Sequence, residues 1–223
     1  MDRKLLASAL AKYVAGVVLM GLLLFVPAGT LGWWRGWLLM AVLFVPMFVA
    51  GLVMMAKAPD LLRKRLDARE QEAEQRTVLA LSALMFVGAF VLTGLGHRFD
   101  WPTFPSWVSW AGAVVFLLAY ALYAEVLREN EYLSRTVEVQ QRQRVIDTGL
   151  YGVVRHPMYA ATLLLFMCMP VVLGSPFACV VMLAYVPIIA KRIRNEEQVL
   201  ERELAGYKAY ERRVRWRLVP RLW

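Results

Sequence analysis

From Met158 to Ala190 the chain runs 33 residues without a charged side chain. That run constrains the fold more than any other feature. About 20 apolar residues in a helix cross the ~30 Å of a bilayer core, so the run is too long for one ordinary crossing. Gly174-Ser175-Pro176 stands near its middle and is a strong turn signal. The reading is a helical hairpin over 158–190 whose tip reaches the far interface. Four more apolar segments precede it, from Leu5 or Tyr13 to Val26, from Trp37 to Ala56, from Thr77 to Gly96 and from Trp107 to Ala124. The expected fold class is an all-α integral membrane protein with about six transmembrane helices plus cytoplasmic amphipathic helices. Met1–Ala28 has a basic start and an apolar run like a signal peptide, but Lys12 interrupts the run and further spans follow, so it is read as a retained first helix.

Charge patterning sets the expected orientation. The net charge is +9, and Lys and Arg flank the apolar spans. Topology control and attraction to anionic headgroups explain that better than nucleic acid, which is excluded as a partner. With the N-terminus inside, 24 of the 26 basic residues fall in inner segments, and only Arg35 and Arg98 fall outside. Both termini are therefore expected in the cytoplasm, with a bacterial inner membrane as the expected location. Trp33, Trp34, Trp37, Trp101, Trp107 and Trp110 cluster at span ends, where indole prefers the interface. Cys168 and Cys179 lie in apolar segments without a CxxC pair, so they read as buried thiols, and no metal is expected.

Two polar segments have amphipathic patterns. Residues 57–76 predict an interfacial helix with Leu61, Leu62 and Leu66 toward lipid. The tail from Arg192 to Tyr210 carries a helical stripe of Ile193, Leu200, Leu204, Tyr207 and Tyr210, interrupted at Gly206.

The candidate chemistry lies in two clusters, Gly149–Tyr159 and Arg192–Glu197. The hairpin between them goes out and back, so both return to the same face. Pro157 at the start of the fifth span costs no helical N–H and puts His156 at the N-cap. The free N–H groups of that first turn form an anion site, reinforced by Arg155. Glu196 and Glu197 point about 100° apart on a helix, so one can pair with Arg192 or Arg194 while the other faces a pocket. Either cluster read alone fits an interfacial anchor or a salt-bridge network. Together they suit a zwitterionic, cation-rich ligand, and S-adenosylmethionine is one.

The ordered residues carry a resemblance. Asn130-Glu131-Tyr132-Leu133-Ser134, Val137-Glu138-Val139-Gln140, Val145–Tyr151, Arg155-His156-Pro157-Met158-Tyr159, Arg192 with Glu196-Glu197 and Leu200, Tyr207 with Tyr210, and Arg217-Leu218-Val219-Pro220 resemble the isoprenylcysteine carboxyl methyltransferase family. Phospholipid N-methyltransferases are more distant relatives. The resemblance covers roughly residues 125–223. It is looser upstream, at Gly32-Trp33-Trp34-Arg35-Gly36-Trp37 and Pro59-Asp60-Leu61-Leu62 with Arg65, as in bacterial members. It implies a division into an N-terminal transmembrane region, 1–127, and a methyltransferase region, 128–223. It also implies S-adenosylmethionine as cofactor, held by Gly149, Tyr151, Arg155, His156, Pro157, Tyr159, Glu196 and Glu197. A lipophilic substrate would enter from the bilayer toward Arg128, Asn130, Glu131 and Arg192. The Gly-x-Gly of the phospholipid enzymes has only Gly94-Leu95-Gly96 as a counterpart, on the outer side, and is read as close packing instead.

The activity implied is carboxyl O-methylation of a prenylcysteine-like or other lipid carboxylate, with N-methylation of a phospholipid or other amine as the alternative. A sterol-reductase-like oxidoreductase would need more basic groups for nucleotide phosphates. A non-catalytic scaffold would leave both clusters as anchors. Of the two glutamates, Glu197 is the favoured ligand contact.

Overall fold

A computed structural model of the chain describes residues 3–66, 73–130, 132–133, 139–140 and 143–223, with the side chains of 64 and 73–76 excepted. Among these, every regular element is helical. α1 (Arg3–Ala28) ends where Gly29 takes a φ of +69° and its N–H reaches the Phe25 carbonyl. α2 spans Trp34–Lys57 and is followed by the short α3, Pro59–Leu66. Leu62 of α3 is buried in the protein rather than turned to lipid, which corrects the expected outward stripe. The reason is tertiary: the Lys12 ammonium donates to the Leu66 carbonyl and Arg65 donates to the Tyr123 hydroxyl, so α3 is tied to α1 and to the helix that carries Tyr123. Part of the amphipathic segment expected over 57–76 lies outside the described residues.

α4 (Ala73–Arg98) and α5 (Ser106–Glu129) extend their apolar segments by a few residues at each end. Gly94 lets α4 approach the end of α1, since a Cβ there would sit 2.8 Å from the Leu24 carbonyl oxygen. Gly94 is thus a close-packing glycine, and Gly96 faces Trp101. α6 (Pro157–Val172) packs most extensively on α5, helped by Gly112, whose missing Cβ makes room for Val171.

The hairpin turns at the expected place. Gly174 has a φ of +75°, the Ser175 hydroxyl accepts from the Ala178 N–H, and Pro176 opens α7 (Pro176–Met182). The return is broken before α8 (Tyr185–Glu203). Pro187 has no N–H for the Leu183 carbonyl, and the chain makes tighter bonds there, such as Val186 N–H to Leu183 O at 3.1 Å. α8 continues past the apolar part into the charged cluster and stops at Leu204, and Gly206 at φ +87° starts α9 (Tyr207–Arg213).

Among the described residues, five segments, with α7 and α8 taken together, are long and apolar enough to cross a membrane, and α6 is a shorter apolar helix of 16 residues. Two cores fill the bundle. Phe116, Leu24 and Leu39 centre one, where α1, α2, α5 and α6 meet, and Met182, Ile189 and Ile193 centre the other, under α4 and α8. Large apolar side chains such as Leu19, Val45, Leu84 and Leu118 stay exposed on the outside. That is the inverse of a soluble protein and suits a lipid surround.

Candidate active site at the start of α6

Arg155, His156 and Glu197 lie at the end of the bundle where α6 begins, and all are buried. Each Glu197 oxygen is taken. One accepts from Arg155 (2.9 Å to Nε) and contacts His156 Nε2 at 3.1 Å, and the other accepts from Arg217 Nε at 2.8 Å. Arg155 is equally committed. It also reaches Glu211 at 3.1 Å and donates to the Val214 and Arg215 carbonyls, both at 3.1 Å. These contacts occupy the guanidinium's five donors. The Arg155 N–H donates to the Trp216 carbonyl and the His156 N–H to the Arg217 carbonyl. The C-terminal tail is therefore clamped onto the loop before α6, and Arg155 and Glu197 are the clamp.

A cavity opens beside this clamp. Glu196, Tyr159 and Arg192 line it, with His156, Tyr151 and Tyr207. The Tyr159 hydroxyl donates to Glu196 and accepts from Arg192 Nε at 2.9 Å. Leu200, Leu204, Val145 and Ile146 supply an apolar wall. The Tyr207 hydroxyl is buried, without a hydrogen-bond partner among the described residues, and Tyr207 lines the cavity. Burial raises the Tyr151, Tyr207 and Tyr210 phenols well above their ordinary range, so each is a neutral group. Tyr210 holds the floor by donating to the Tyr151 carbonyl at 2.8 Å.

The sequence-derived candidates separate in three dimensions. Tyr151, Arg155, His156, Tyr159, Arg192, Glu196 and Asn130 line the cavity. Glu197 does not face it, so of the two glutamates it is Glu196 that meets the cavity. Arg155 adds no spare donor to the helix start. Gly149 makes the turn before a single 3-10 turn (Gly149–Gly152) at φ +51°, and a Cβ there would sit 2.9 Å from the Glu129 carboxylate. Pro157 is the first residue of α6. Arg128 is exposed and bonds Glu125 at 2.6 Å, away from the cavity. Glu131 lies outside the described residues. Asn130 donates to the Tyr151 hydroxyl at 3.0 Å, so it supports the cavity wall. Met158, inside the Gly149–Tyr159 cluster, also lines the cavity, as do Gln143 and Arg144, which carry no signal in sequence that marks them. Arg217 reaches Glu197 only because the tail folds back.

The fold and site together define an integral membrane protein with a small recess, polar on one side and apolar on the other, at one end of its helical bundle. Residues 110–202 match the model of the isoprenylcysteine carboxyl methyltransferase (ICMT) family, which supports membership of that family. Members of the family are S-adenosylmethionine-dependent membrane methyltransferases. No curated protein matches the chain.

Proposed function

We propose that the chain methylates the carboxylate of a lipophilic, prenylcysteine-like acceptor with S-adenosylmethionine, in the cavity at the start of α6. The division into a four-span N-terminal region, 1–127, and a catalytic region, 128–223, belongs to the same proposal, as does the cytoplasmic placing of the site. The observation that carries it is the cavity itself, where a carboxylate (Glu196), a helix start and an orphaned buried hydroxyl (Tyr207) face one space.

These residues fit the cofactor. Glu196 suits an ammonium group. The N–H groups of Met158 and Tyr159 have no partner within α6 and suit a carboxylate. Tyr207 offers a hydrogen bond that no described residue takes, and Leu200 and Ile146 offer an apolar face for adenine. The cavity encloses about 100 Å³, below the roughly 300 Å³ at which ligand pockets begin. The site therefore widens when it fills.

When bound, S-adenosylmethionine supplies a sulfonium-activated methyl group, so a carboxylate acceptor needs no base. The protein's task is alignment and exclusion of water. Arg192 orients Tyr159 and presents positive charge to the cavity, where an acceptor carboxylate is held for in-line attack. Arg155, Glu197 and Arg217 fix the tail so that Tyr207 and Tyr210 stay in register with the wall. Amine methylation is the rival and would need a proton acceptor, for which Glu196 is the placed carboxylate. Labelled methyl transfer to a prenylcysteine mimic and to an aminophospholipid separates the two. A methyl ester releases its label in alkali and an N-methyl group does not. Alkali-stable label on the phospholipid alone would overturn the carboxylate reading.

A further inference from the structure

At the other end of α6, about 24 Å away for a helix of 16 residues, a second cavity of about 330 Å³ has no part in the methyl-transfer reading. It is lined by Trp33, Trp34, Arg35, His97, Asp100 and Trp101, among others. Arg35 is its unusual member. The side chain is 8% exposed, and its guanidinium has no ion-pair partner among the described residues. One amino group donates to the Phe104 carbonyl at 2.6 Å, the face lies 5.3 Å from the Trp34 ring centre, and buried Nε has no partner among the described residues. Gly174 makes the space for it, since a Cβ there would collide with the guanidinium.

A buried, uncompensated guanidinium is costly unless something supplies the missing acceptors. The surroundings add to the same demand. α2 begins at Trp34, which lines the cavity, and Trp33 caps it without a side-chain hydrogen bond, so the first N–H groups of this 24-residue helix receive no acceptor from a capping side chain. His97, which also lines the cavity, stacks on Trp33 at 5.0 Å. Trp33, Trp34 and Trp101 are residues of the headgroup zone, and the abundant anion at that depth is a phosphodiester. A guanidinium fork matches phosphate geometry.

We propose that this cavity is a binding site for a phosphate-class oxyanion, with Arg35 as its principal ligand. The oxyanion is carried by a lipid headgroup or is free phosphate. Asp100 stands at the rim and repels it, which sets up a test of opposite signs. Asn tolerates the φ of +52° that Asp100 adopts, so Asp100→Asn does not strain the backbone.

The full chain in a non-ionic, phosphate-free detergent is titrated with dihexanoyl phosphatidylglycerol in one arm and inorganic phosphate in the other. Thermal unfolding and fluorescence of the cavity tryptophans are followed. Saturable binding is expected in at least one arm. Response to the lipid alone identifies a headgroup, and response to both identifies a free oxyanion site. Arg35→Gln should weaken binding tenfold or more, and Asp100→Asn should tighten it at least twofold. Where Arg35→Gln fails to fold, because it also ties the 99–105 loop to the 173–175 turn, the Asp100→Asn result decides. No saturable response in either arm, or unchanged affinity in Asp100→Asn, overturns the site and leaves Arg35 as a loop staple.

Discussion

Glu196 and Glu197 are adjacent, yet α8 sends them into different environments. Glu197 is 3% exposed among Arg155, His156 and Arg217, whereas Glu196 sits half-buried at the cavity with Tyr159. Their neutral variants should therefore fail differently. Glu197→Gln leaves two guanidiniums with one carboxylate fewer, and removing one partner of a buried pair costs ~3–5 kcal/mol. Lower thermal stability is the expected readout, with ligand binding lost as a consequence. Glu196→Gln should keep the parent unfolding temperature and bind S-adenosylhomocysteine at least tenfold more weakly, since a hydrogen bond to a charged group contributes ~1.5–3 kcal/mol. Calorimetry and thermal unfolding on both variants check this. A stable Glu197→Gln protein that alone loses binding would reverse the assignment. Gly149→Ala is a third case: a Cβ at φ +51° meets the Glu129 carboxylate, so about 1–3 kcal/mol of stability should go.

The tail is the element on which the cavity depends. Its backbone carbonyls accept from the Arg155 and His156 N–H groups in the loop before α6, and its α9 tyrosines close the wall. Deleting residues 216–223 removes the Trp216 and Arg217 carbonyls and the Arg217 guanidinium. The truncated protein should insert in membranes as the parent does but show no saturable binding of S-adenosylhomocysteine. Retained binding would make the tail dispensable. The same element sets an alkaline limit. Burial raises the folded-state values of Tyr151, Tyr207 and Tyr210 above their ordinary 10. A group with a raised folded value contributes stability fully present below its unfolded value and lost as pH rises through the folded one. Unfolding temperature should hold up to about pH 10 and fall above it, and Tyr207→Phe should blunt that fall.

At the scale of the whole molecule, two polar recesses sit at opposite ends of α6 inside a shell of apolar side chains. The end that carries α8, α9 and the cavity at the start of α6 is also the end rich in Lys and Arg. It should face the cytoplasm. Reporter fusions at either terminus are expected to read as cytoplasmic, and a single introduced cysteine at the Gly174-Ser175-Pro176 turn should label from the opposite side. An external C-terminal reporter would sink this orientation.

Hydropathy and turn chemistry were enough to determine that the chain is a helical membrane protein, where the 158–190 hairpin turns, and that Gly206 divides the tail. Those features are local: apolar length, Gly and Pro act over a few residues and need no partner. The residues at the cavity were legible as a set because the hairpin must bring 149–159 and 192–197 back together. Their division of labour was not. Which glutamate is locked and which is open depends on the rotation of α8 and on Arg217 arriving from 20 residues downstream. Leu62 turned inward because α1 and α5 hold α3, and Arg35 lost its solvent because Gly174 admits it. Each of these is a contact between distant segments, and burial, which tertiary packing alone assigns, decides whether a charged side chain anchors, clamps or binds.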